Sequence, residues 1–93
     1  METIFKYEVP MTPGVSTIRL PKGAEILYVG IQHSKPYFWA EINDGKELEP
    51  VMFRTFVTGE QTDKTGWSYV GSYQIEGGCP GGYFVGHLYQ VKP

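Results

Sequence analysis

An alternation of apolar and polar residues with a period of two dominates this chain and limits what it can become. In "TIFKYEV", Ile4, Lys6 and Glu8 fall on one face and Phe5, Tyr7 and Val9 on the other, the pattern of a half-buried strand. Six further runs of six to nine residues follow: "VSTIRL", "EILYVGIQ", "YFWAEI", "VMFRTFV", "WSYVGSYQI" and "YFVGHLYQV". No stretch has the spacing of an amphipathic helix. Proline and glycine punctuate the runs, as in "PMTPG" and "PKGA", because each sets a backbone conformation that suits turns. "NDGKELEP" holds an Asp-Gly pair, the strongest short hairpin signal in the chain. "EILYVGIQ" is largely apolar on both faces and is expected to be a central strand. The sequence therefore predicts an all-β fold, a compact antiparallel sandwich or barrel of about seven short strands, spanning residues 1–93 as one domain.

Ninety-three residues support only a modest core, and domains of that size often gain stability by oligomerising. Aromatic residues make up 15% of the chain, enough to build both a core and a recognition surface. The formal net charge of −2 argues against a duplex nucleic-acid binder, which needs broad phosphate neutralisation. A small anion needs only a local pocket. Cys79 is the sole cysteine, so neither an internal disulfide nor a CxxC metal site is available, which fits a reducing compartment. The chain lacks an apolar run of roughly 18 residues, so no transmembrane helix is expected. "METIFKYEVP" does not read as a signal peptide. A cytoplasmic setting, without membrane contact, is the expectation.

Catalysis requires groups arranged in pairs, and the sequence supplies no such arrangement. Asp44, Glu47, Glu49, Glu60 and Asp63 fall in turns or at strand ends, as solvated charges do. Glu25 and Glu41 lie inside strands, but no motif pairs them. His33, His87 and Cys79 have no metal-ligand or nucleophile–base spacing. His33 is expected in an exposed turn, and His87 is expected to hydrogen-bond within a sheet. No Walker A, GxSxG or HExxH motif is present. The expectation is a protein with no catalytic site, no metal and no cofactor.

Recognition is better supported. With strict alternation, Trp67, Tyr69, Gly71, Tyr73 and Ile75 share one face of the sixth strand. Gly71 then opens a gap among aromatic rings. Such a gap serves either close packing or a bulge, or a flat ligand stacked on a ring, worth roughly 1–3 kcal/mol per base. Gly86 repeats the pattern between Phe84 and Leu88. In "FRTFVTGE", Arg54, Phe56 and Thr58 share a face, with Gly59 opening the nine-residue connection from Thr58 to Gly66. Arg54 suits a phosphate, and Thr58 with the amides around Gly59 suits another oxygen. The same residues also make an ordinary surface charge and turn. The candidate ligand residues are therefore Trp39, Tyr69 and Tyr73 for stacking, Gly71 for the gap, Arg54, Thr58 and Gly59 for anions, and His87 as a polar contact. Trp39, flanked by Phe38 and Ala40, suits a core equally well.

"IFKYEVP", "LPKGAEIL", "WAEI", "TGE", "YVGSYQIEGG" and "VGHLYQ" occur in an order and spacing that resemble a family of small phage and prophage proteins with no assigned enzymatic activity. Through that family the chain is similar to the anti-CBASS sponges. Ser72 stands where that pattern favours Thr, and "CPGGYFVG" lengthens the turn before His87. The resemblance implies a viral immune-evasion protein in the host bacterial cytoplasm. It would bind a nucleotide second messenger, a cyclic dinucleotide, and sequester it without hydrolysis, as a homo-oligomer. The alternative is a phage protein-binding inhibitor or small virion component acting through an aromatic protein–protein interface.

Overall fold

Each of the seven alternating runs forms a strand in the computed structural model, which describes residues 1–11, 14–62, 65–76 and 83–91. The strands are β1 (Glu2–Glu8), β2 (Val15–Pro21), β3 (Glu25–Gln32), β4 (Lys35–Asn43), β5 (Leu48–Val57), β6 (Trp67–Glu76) and β7 (Tyr83–Val91). They pair into a three-stranded sheet of order β1-β4-β3 and a four-stranded sheet of order β2-β5-β7-β6. Every pairing is antiparallel. The chain is all-β, a two-sheet sandwich, as the alternation predicts. Among the described residues there is no helix, hence none long and apolar enough to cross a membrane.

The inner faces meet through aromatic and branched side chains. Phe38 of β4 packs on Phe53 of β5 with ring centroids 5.2 Å apart, and Tyr7 stacks on Phe38 from β1 at 5.3 Å. Phe38, Phe53, Leu20, Leu88, Val9 and Pro36 are the largest fully buried side chains. One polar thread enters this layer: Tyr73 Oη donates to Thr55 Oγ1 at 3.3 Å, and Thr55 Oγ1 donates to the Pro10 carbonyl at 3.2 Å. Burial pushes the Tyr73 phenol above its ordinary pKa of 10.0, and the bond to Thr55 partly offsets that rise.

The sheets do not cover each other evenly. β3 approaches β6 at one side of the sandwich, and β2 lies near β4. β1 approaches no strand of the four-stranded sheet. Phe5 therefore stays 50% exposed, although its partner Ala40 is fully buried.

Two expectations need correction. β3 is an edge strand, not a central one. Its second apolar face is the solvent face, and Leu27, in a bulge between Ile26 and Tyr28, adds to the apolar run while staying exposed. The Asp-Gly turn of "NDGKELEP" does not close a hairpin either. It joins β4 to β5, which belong to different sheets. The β3–β4 hairpin turns instead through His33 and Ser34, both at positive φ (52° and 65°), the conformation a two-residue hairpin needs to match strand twist. His33 sits in that exposed turn, as expected.

Candidate functional site

A bulge in β6 decides which predicted residues meet. Tyr69 pairs with Tyr89 and Gly71 pairs with Leu88, so Val70 is an extra residue between consecutive pairs. A single inserted residue shifts the phase of the alternation. Trp67 and Tyr69 consequently face outward, whereas Gly71, Tyr73 and Ile75 face the core. The shared aromatic face expected from strict alternation is therefore split in two.

On the inner side, no slot remains open at the glycines. A Cβ on Gly71 would stand 2.7 Å from Val29 Cγ2, a side chain of the opposite sheet. A Cβ on Gly86 would strike the ring of Tyr73. Tyr73 is itself 4% exposed. The gap read at Gly71 is thus a packing slot filled by Val29, and Tyr73 is a core residue seated on Gly86. Trp39 lies apart from both groups, half-buried on the outer face of β4 in the other sheet.

On the outer side of the four-stranded sheet, the other predicted residues converge. His87 on β7 pairs with Phe56 on one side and Ser72 on the other. Its Nδ1 lies 2.7 Å from Ser72 Oγ and its Nε2 lies 3.0 Å from Thr58 Oγ1. Ser72 Oγ also lies 2.6 Å from Tyr69 Oη. With one ring N–H the chain closes in either sense: Tyr69 to Ser72 to Nδ1 with Nε2–H donating to Thr58, or Thr58 to Nε2 with Nδ1–H donating to Ser72 and Ser72 to Tyr69. Each hydroxyl and ring nitrogen then has a partner. His87 does hydrogen-bond across the sheet, as expected.

Thr58 reaches the chain because the backbone turns sharply after β5. The Glu60 N–H donates to the Val57 carbonyl at 3.0 Å, with Gly59 at φ 92° between them. Positive φ at the third position is what a type II turn demands, and glycine adopts it without strain. The same turn brings Glu60 back onto β5. Its Oε1 accepts from the Val57 N–H at 3.1 Å and its Oε2 accepts from Arg54 Nη2 at 3.1 Å. Arg54 lies over the ring of Phe56 at 4.4 Å, and its Nε is buried with no acceptor. Phe56, Tyr89 and Tyr69 continue as edge-to-face rings at 5.2 and 5.5 Å across three strands.

The result is a row of rings beside a hydroxyl–imidazole chain, with a cation at one end. An anion site built from Arg54 and a backbone amide is present, and the protein's own Glu60 carboxylate occupies it. Ser72 beside an imidazole has the outline of a nucleophile and base. The far nitrogen of that ring, however, meets the Thr58 hydroxyl and not a carboxylate that would stabilise an imidazolium. Sequence reasoning missed Ser72, Glu60 and Tyr89. Ser72 becomes visible only once the register with His87 is known. Glu60 offered a signal in "TGE", since a carboxylate three residues beyond a strand can fold back on it.

Among the described residues, no group of three or more His, Cys, Asp or Glu side chains is placed to hold a metal ion. Cys79 lies outside the described residues, as do Asp63 and Lys64 of the long connection. A cleft of about 410 Å³ opens at the end of the sandwich between Leu20, Ile26, Val51 and Met52. A smaller hollow of about 270 Å³ lies beside it, bordered by Tyr69, Val70 and Gln90. The family model described as Domain of unknown function (DUF7352) matches residues 1–93. No curated protein and no solved structure matches the chain.

Proposed function

We propose, from the premise that the chain belongs to the DUF7352 family over its whole length, that it is a non-catalytic binding domain for a small nucleotide. The observation that carries this reading is the convergence of Arg54, Thr58, Tyr69 and His87 on one solvent-facing sheet surface. Tyr69, 57% exposed, supplies a ring on which a base stacks. Arg54 supplies a planar donor fork for phosphate and holds an Nε that lacks an acceptor. Thr58 and His87 supply polar contacts between them. Glu60 acts as a placeholder that a phosphate displaces.

The nucleotide that best joins this surface to the resemblance in the sequence is a cyclic dinucleotide of CBASS-type defence. On this reading the chain is a phage immune-evasion sponge in the host bacterial cytoplasm, holding its ligand unhydrolysed in a homo-oligomer. Calorimetry with cyclic dinucleotides and cyclic ADP-ribose isomers tests it. Expected are saturable heat with at least one of them, and intact ligand recovered on denaturation. Arg54→Ala is expected to weaken binding by about 1.5–3 kcal/mol, the range for a charged hydrogen bond. No heat with any ligand at micromolar protein removes the proposal.

The uncovered inner face of β1 favours a second reading, a protein interface. Phe5, on that face, is 50% exposed. A second chain laid against β1 would bury Phe5 and pair the strand's free edge. Native mass spectrometry with and without nucleotide separates the readings, because an interface alone gives assembly indifferent to nucleotide.

A further inference from the structure

The outer face of the three-stranded sheet has no partner in the chain and carries chemistry separate from the surface described above. Tyr28 of β3 lies 5.6 Å from its cross-strand partner Trp39 of β4, and Tyr37, two residues before Trp39 on β4, lies 6.4 Å from it, centroid to centroid. Gly30 follows Tyr28 on the same face and sits opposite Tyr37. A Cβ on Gly30 would come within 2.5 Å of the Tyr28 ring. The absent side chain therefore lets the ring lie across the backbone. Gly30 is buried beneath it, while Tyr28 remains 65% exposed. One ring face rests on the sheet and the other is offered to solvent.

The polar groups around these rings are mixed in kind. Lys6 Nζ stands 4.5 Å above the Tyr37 ring and donates to Gln32 Oε1 at 3.0 Å, which leaves the Gln32 amide nitrogen as a free-facing donor. Glu25 and Glu41 are direct cross-strand partners. Like charges opposed in a sheet oppose folding, and a local conflict of that kind marks residues kept for another purpose. They border a shallow depression of about 180 Å³ together with Glu2, Asn43 and the cation Lys22.

We infer that this face is a platform for a neutral carbohydrate chain. A pyranose presents a face of axial C–H bonds with positive partial charge, which suits the negative face of an aromatic ring. Its hydroxyls donate and accept, so they use Glu25 and Glu41 as acceptors and Lys6 and Gln32 as donors. An anionic ligand meets more carboxylates than amines here, since Glu2, Glu8, Glu25 and Glu41 share the face with Lys6 and Lys35. A ligand cation finds the Tyr37 ring already taken by Lys6.

The test uses the full chain carrying Trp67→Phe, so that Trp39 is the only tryptophan reporting. Neutral malto-, cello- and chito-oligosaccharides are titrated to millimolar concentration while Trp39 emission is followed. Tetramethylammonium and a cyclic dinucleotide serve as comparison probes. A saturable change with at least one oligosaccharide is expected. Tyr28→Ala, at an exposed position, is expected to weaken it by roughly 5- to 150-fold, the range for loss of one stacked ring, with melting unchanged. Gly30→Ala is expected to do the same by lifting the Tyr28 ring, and Arg54→Ala to leave sugar binding intact. Absence of saturable change with every sugar overturns the inference. So does a stronger response to tetramethylammonium or the dinucleotide, or sugar affinity within twofold for Tyr28→Ala.

Discussion

Gly71→Ala places one methyl group where the two sheets touch, and its effect can be worked out from the geometry. The new Cβ would stand 2.7 Å from Val29 Cγ2 and 3.0 Å from Val29 Cβ, against roughly 3.5–4.0 Å for relaxed carbon contacts. An overlap of about 1 Å cannot be relieved by a small side-chain rotation, because Val29 is branched at Cβ and packs against the core. The sheets must part or the strand must shift. Overpacking of this kind costs about 1–3 kcal/mol. For a domain of this size each kcal/mol lowers Tm by about 4–8 °C. Thermal melts followed by circular dichroism on Gly71→Ala, Val29→Ala and the double variant complete the cycle. Truncating Val29 removes the Cγ2 methyl at 2.7 Å and leaves only the tight contact of its Cβ at 3.0 Å, so the double variant is expected to be more stable than the sum of the single effects, by about 1–2 kcal/mol. A Gly71→Ala protein that melts with the parent, or a cycle with no coupling, would refute the packing account and reopen the slot as a space for ligand.

Glu60→Gln removes the charge that occupies the Arg54 anion site. Because both partners are one-third exposed, the pair contributes only about 0.2–1 kcal/mol. Calorimetry should show anion affinity raised by up to about fivefold with little change in Tm; unchanged or weaker binding would mean Glu60 is not a competitor. Alkaline pH should destabilise the fold. The Tyr73 pKa is raised by burial, so its contribution is fully present below the unfolded value near 10.0 and is lost as pH climbs through the folded one. Urea midpoints between neutral pH and pH above 10 should fall less steeply in Tyr73→Phe than in the parent. Equal slopes would assign the alkaline loss to other groups.

Strand positions were readable because each run alternates locally and each connection carries turn residues. The core was readable for the same reason, with Phe38, Phe53 and Leu88 all at the apolar phase of their runs. What alternation does not encode is a change of phase, and the candidate site depended on one. The extra residue at Val70 put Tyr69 and Tyr73 on opposite faces, although nothing in "WSYVGSYQI" marks the break. Pairing across distant segments was hidden too. Ser72 and His87 meet through register, and Glu25 and Glu41 through a hairpin whose turn, His33-Ser34, lacks the usual Asn-Gly or Asp-Gly signal. Arg54 and Phe56 share a face because they alternate within β5, whereas Thr58 lies in the turn after it and joins them through its contact with His87.

The bulge at Val70 also bears on how this chain can change length. Trp67–Tyr69 and Gly71–Ile75 are two alternating segments written in different reading phases, and Val70 is the spacer that reconciles them. Its loss would leave Tyr69 opposite Tyr89 and Gly71 opposite Leu88, as they already are, at the cost of one partly buried side chain. Removing a residue farther along β6 would instead exchange solvent-facing and core-facing residues between that point and the bulge. Length variation in β6 is thus tolerated best at the bulge, and loss of Val70 would keep both the core and the tyrosine row.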